Sequence, residues 1–194
     1  AYRITVKREA APGRPAGIAS NWLHDHAQPG TVLKVAAPAG DFSLDAEGDA
    51  PVVLVSGGVG LTPMISMLET IAADSPDRPT WYVHGALFGR VHALRDHARA
   101  LAARARNARL VTFYAEPEAA DRPGEHYDVK GLITADWLVE HTPHDRATYY
   151  LCGPKPFLRD LATGLLRRGV LAEEGKVGFA GRAGELPGRP SQKA

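Results

Sequence analysis

From residue 52 onward, hydrophobic positions come in two alternating textures. Short, mostly apolar runs occupy 52–55, 81–83, 110–114 and 148–151, each bounded by turn-forming residues, as expected of strands buried on both faces. Between them, apolar residues recur at helical spacing. Met64, Met67, Leu68 and Ile71 mark one helical face; Leu94, His97, Ala98 and Leu101 mark a second, and Trp137-Leu138-Val139 a third. A last helix carries Phe157, Leu158, Leu161 and Leu165, ends on Arg167 and Arg168, and stops at Gly169. This alternation predicts βαβ units and an α/β fold with a doubly wound, five-stranded parallel sheet.

The first 48 residues read differently. Tyr2-Ile4-Val6 and Val32-Leu33-Lys34-Val35 alternate at strand period around a short helix near 21–26, which suggests antiparallel barrel material. A small acidic stretch at 45–49 marks the boundary, so the expected domains are 1–48, the last part of a barrel, and 49–183, the α/β domain. Residues 184–194 have the composition of a flexible tail.

Where the run 52–55 meets the first helix stands Ser56-Gly57-Gly58-Val59-Gly60-Leu61-Thr62-Pro63. Glycines let a backbone turn sharply and bring N–H groups close to an anion, and the helix N-terminus adds its own pull. Thr62 suits an N-cap and Pro63 the first helical position. The stretch departs from the dinucleotide fingerprint G-x-G-x-x-G by placing Pro63 at the third glycine. The alternative reading is a tight strand-to-helix turn that binds nothing.

Composition narrows the partners. The 194 residues include 23 basic and 22 acidic side chains, a formal net charge of +1, so no overall charge bias points to nucleic acid or anionic lipid. No apolar run reaches transmembrane length. With Cys152 the only cysteine, no internal disulfide can form, and a reducing cytoplasm fits. His24-Asp25-His26 has the wrong spacing for a helical metal pair, so no metal ligands are assigned. The chain starts without Met in the middle of a strand pattern, which suggests a segment of a longer polypeptide.

Several stretches together resemble the reductase half of the flavohaemoglobins, the nitric oxide dioxygenase family. They are Val6-Lys7-Arg8-Glu9, Ser20-Asn21-Trp22-Leu23-His24-Asp25, Ala37-Pro38-Ala39-Gly40-Asp41-Phe42, the glycine stretch through Pro63, Val91-His92-Ala93-Leu94-Arg95-Asp96 and Tyr150-Leu151-Cys152-Gly153-Pro154. The resemblance implies a ferredoxin–NADP reductase-like module in which NADH or NADPH passes a hydride to FAD, with electrons going on to haem in a globin domain. It would place the nucleotide diphosphate on Gly57, Gly58, Val59, Gly60, Leu61 and Thr62. Cys152, Gly153 and Pro154 would flank the nicotinamide, with Cys152 at the catalytic position, although a free cysteine also commonly does no more than pack. Ser20 and Asn21 would lie at the flavin pyrophosphate.

The chain also departs from the family. The Arg-x-Tyr-Ser flavin motif belongs upstream of residue 1, which leaves the FAD site incomplete, and no residue here is assigned to haem. Where the family has a Tyr-Glu-x-Phe-Gly-Pro-like stretch, Gly178, Phe179, Ala180, Gly181 and Arg182 stand, with Ala180 at the position of the stacking ring. The turn after the second strand carries Arg90, able to meet a 2′-phosphate, and leaves NADH against NADPH open. The partners implied are small-molecule cofactors and a haem or other acceptor domain. Two other readings stand: the reductase component of an iron–sulfur or oxygenase system, and a non-catalytic nucleotide-binding remnant.

Overall fold

The computed structural model describes residues 3–10, 13, 15–37, 39–170 and, as backbone, 177–179. It divides into two compact units, Ala1–Gly40 and Asp41–Ala194. The break falls ahead of the acidic stretch because residues after Gly40 are tied into the second unit. Phe42 and Leu44 pack on its core, the Asp45 amide donates to the Tyr150 hydroxyl at 2.9 Å, and Arg78 donates to the Asp45 and Ala50 carbonyls.

In the first unit, α1 (Ile18–His26) starts after Gly17 and buries none of its side chains. Segment 6–9 is fastened to it. His24 Nε2 lies 2.8 Å from the Val6 carbonyl oxygen, and the Arg8 guanidinium donates to Asn21 at 3.2 Å and to Asp25 at 2.7 Å. The alternating runs around Ile4 and Val32–Val35 do not form strands among the described residues. Alternation supplies an apolar face, but a ladder also needs a partner backbone, and Ile4, Val32 and Val35 remain exposed.

The second unit is a six-stranded, wholly parallel sheet in the order β4-β3-β2-β1-β5-β6. Its strands are β1 (Val52–Gly57), β2 (Thr80–Ala86), β3 (Ala108–Tyr114), β4 (Val129–Lys130), β5 (Thr148–Cys152) and β6 (Val177–Phe179). The predicted parallel sheet is present, and the two-residue β4, too short to leave a periodic signal, widens it by one strand. Helices α2 (Leu61–Asp74), α3 (Arg95–Arg104), α4 (Ala135–His141) and α5 (Lys155–Arg167) cover the faces. Gly169 ends the last of these helices at φ +69, where a side chain would be strained. The expected tail at 184–194 lies outside the described residues. No helix among the described residues is long and apolar enough to cross a membrane.

Strand β1 holds the centre, with all six residues buried. Alternation along it divides the core in two. Val52 and Leu54 join Met64, Leu68, Ile71, Tyr82 and Leu101 on one face, while Val53 and Val55 join Leu138, Leu151, Leu161 and Leu165 on the other. The chain runs from β1 outward to β4 and then returns to lay β5 on the opposite side of β1, so the winding reverses between β1 and β5. In such sheets that reversal opens a crevice beyond the carboxyl ends of the two strands.

Leu138 is fully buried under the second face. Leu138→Ala is expected to destabilise the fold by about 2–5 kcal/mol, read as a fall in the urea midpoint.

Candidate functional site

The crevice is built by backbone. After Gly57 the chain turns through a single 3₁₀ turn, Gly58–Gly60, and enters α2 with Gly60 at its N-cap. Thr62 is therefore the second helical residue, not the cap, and no side chain caps the helix. The long-range fit decides this. A Cβ on Gly60 would overlap the Cys152 carbonyl oxygen and lie 2.5 Å from its carbon and 2.7 Å from the Gly153 nitrogen. Only glycine fits where the two loops touch, and an uncapped helix end keeps its amides directed at the crevice.

The opposite wall has the same character. A Cβ on Gly153 would come within 2.6 Å of the Phe157 ring and 3.2 Å of the Gly57 nitrogen, and one on Gly57 would meet the same ring at 3.4 Å. Pro154 stands at the N-cap position of α5 with no side-chain cap, so a second helix N-terminus opens at the same end of the sheet. Gly58, at φ +54, has open space where a side chain would stand, and Val59 is half exposed. Leu61 is buried and anchors the first turn of α2.

Cys152 sits at the end of β5 with its thiol in the α2-side core. Burial pushes the thiol pKa up, so it is a neutral packing group, not a thiolate.

Below the glycine turn lies a polar chain that sequence reasoning missed. Parallel register brings Ser56, His84 and Cys152 to one level. The Ser56 hydroxyl donates to the Tyr82 hydroxyl at 3.3 Å and lies 2.8 Å from His84 Nδ1. The His84 ring packs on His92, centroids 4.4 Å apart, and His92 Nδ1 lies 3.1 Å from the Tyr114 hydroxyl. Burial pushes His84 down to about 3, with His92 adding to the effect. Burial, then Arg95 and Arg99, pushes His92 down to about 4. Both rings are neutral near pH 7, which gives the site a polar but uncharged floor. His84 Nε2 has no partner among the described residues.

At the next loops, Asp121 accepts from the amides of Gly89, at 3.1 Å, and Glu118, at 2.9 Å, which hold its carboxyl below the usual range. Arg90 pairs with both oxygens of Glu118, at 2.7 and 3.2 Å.

The structure thus assembles Gly57 through Thr62 with Cys152, Gly153 and Pro154. Ser20 and Asn21 lie in the first unit with their side chains already engaged. The Ser20 hydroxyl accepts from the Glu9 amide and donates to the Gly17 carbonyl, and the Asn21 amide donates to the carbonyls of Glu9 and Gly17. Phe179 ends β6, opposite Leu151. Ala180, Gly181 and Arg182 lie outside the described residues.

Residues 54–163 match the family model of the oxidoreductase NAD-binding domain. A flavohemoprotein of Xylella fastidiosa is 46% identical over 180 residues, covering 93% of this chain and 43% of that protein. One from Bacillus cereus is 41% identical over 185 residues, 95% of this chain and 46% of that protein. The chain thus spans less than half the length of these relatives. Among solved structures, the flavohem-like FAD/NAD-binding domain of nitric oxide dioxygenase from Vibrio cholerae superposes with a TM-score of 0.76 at 27% identity, covering 90% of this chain and 68% of that one.

Two outcomes follow from this geometry. Gly60→Ala is expected to cost about 1–3 kcal/mol through overpacking against backbone that cannot rotate away, seen as a lower urea midpoint. Gly58→Ala bears only the left-handed penalty of about 1–2 kcal/mol and adds no collision. The histidines set a pH dependence. Their folded pKa values lie below the ordinary 6.5, so the unfolded chain takes up protons first. Stability from this source is complete well above pH 6.5 and falls as the pH drops from 6.5 to about 4 for His92 and about 3 for His84, by up to about 1.4 kcal/mol per pH unit for each ring. Urea titrations across that window should show a shallower fall for His92→Phe.

Proposed function

The chain belongs to the oxidoreductase NAD-binding domain family, and we infer that it is the pyridine-nucleotide half of a flavohaemoglobin-type reductase, preceded by part of the flavin-binding domain. One observation carries this reading. At the reversal of the sheet, two glycine-lined loops and two helix N-termini face one crevice, at positions where a Cβ would strike backbone or the Phe157 ring. That is the shape and polarity of a diphosphate site, and the cradle fits a dinucleotide on this ground alone.

The backbone amides of Gly58 to Leu61 would hold the diphosphate, with the first turn of α2 adding its dipole. Cys152, Gly153 and Pro154 would flank the nicotinamide, and the neutral Cys152 thiol would give the ring a small apolar neighbour. When bound, the nicotinamide and flavin supply the hydride donor and acceptor, so the protein's task is to hold them in register. The uncharged Ser56–His84 pair suits this, because it adds no charge beneath the glycine turn. The start of α1 would meet the flavin pyrophosphate through backbone amides, since Ser20 and Asn21 are occupied within their own unit. Residues 179–182 would lie toward the flavin ring. In the complete protein, electrons would pass to haem in a globin domain for the oxygen-dependent conversion of nitric oxide to nitrate, in the cytoplasm.

Calorimetric titration of the chain with NADH and NADPH tests the first step. Saturable 1:1 binding of at least one is expected, and it should be lost in Gly60→Glu. No heat from either at millimolar ligand would overturn the reading. For the whole assignment, the protein from its intact gene should carry haem and flavin absorbance, and the flavin band should bleach when NADH is added under argon.

A further inference from the structure

The loops that follow β2 and β3 form a built device beside the glycine crevice. The Arg90 guanidinium lies over the Phe88 ring, 4.8 Å from its centroid, and donates to both oxygens of Glu118. A third residue ties the two loops together, because one oxygen of Asp121 accepts from the amide of Gly89, the residue before Arg90, and from the amide of Glu118 itself. A Cβ on Gly89 would overlap the other Asp121 oxygen, so this loop too is closed over the carboxylate by a glycine.

In open parallel sheets the end of the strand next to the glycine turn is where the adenosine ribose lies. A carboxylate there accepts from a free 2′-hydroxyl, while an unengaged arginine receives a 2′-phosphate. Arg90 follows β2 closely enough to be that arginine, but its planar fork is already filled by a carboxylate. The carboxylate arrives from 28 residues away, so the sequence around the β2 turn does not contain it.

Resting on the reading of the crevice as a pyridine-nucleotide site, we propose that the Arg90–Glu118 pair, held by Asp121, selects the coenzyme without a 2′-phosphate. The exposed pair adds little to stability as a surface salt bridge. Its effect is on specificity. A phosphate approaching Arg90 must displace Glu118 and then remain beside a like charge, whereas a ribose hydroxyl can donate to the carboxylate.

The test is calorimetric titration of wild type, Glu118→Gln and the double variant Glu118→Gln/Arg90→Ala with NADH, NADPH and 2′,5′-ADP. Wild type should favour NADH over NADPH by about tenfold, the discrimination expected of one close like-charge contact near a protein surface. Glu118→Gln should shift the NADH:NADPH ratio by about that factor toward NADPH and tighten 2′,5′-ADP in parallel. Removing Arg90 as well should abolish the gain. A ratio unchanged in Glu118→Gln overturns the selection role and leaves the crevice assignment standing. If wild type binds neither coenzyme, the crevice assignment falls and takes this proposal with it.

Discussion

The contact between two peptide backbones, at the turn after β1 and the end of β5, governs the architecture of the second unit. Gly60 lies against the carbonyl group of Cys152 with no room for a methyl group between them. The contact sets the distance between the two central strands' loops, fixes where α2 begins, and leaves the helix end without a side-chain cap. Helix ends buried without caps are costly unless something else satisfies their amides. A bound anion would do so, and in that way the constraint that shapes the fold would also shape the site.

The sheet was legible in the sequence because its strands are covered on both faces and therefore read as apolar runs, and because the helices between them have strong one-sided periodicity. Val52 to Val55 and the Met64–Ile71 face are clear cases. The position of the cap was not legible, because Thr62 and Pro63 carry good local signals that a contact nearly 100 residues away overrides. The barrel strands expected before residue 48 are not formed in the described residues: the pattern at Ile4 and Val32–Val35 gives a face without supplying a partner. The two-residue β4 is too short for any pattern to register.

The candidate site divides along the same line. Its glycines and the Cys152-Gly153-Pro154 loop are contiguous in sequence and were found there. The contacts of Ser56 with His84, His92 with Tyr114, Arg90 with Glu118, and the Gly89 amide with Asp121 join residues 22 to 32 positions apart. These pairings are products of strand register and of loops converging at one end of the sheet. The lone histidines carried no signal of their own until β1 and β2 were placed side by side.

The Phe157 ring touches the would-be Cβ positions of both Gly57 and Gly153. One benzene ring therefore serves as the gauge block against which both lips of the crevice are set. Because Phe157 belongs to the first turn of α5, the seating of that one helix bears on both lips at once.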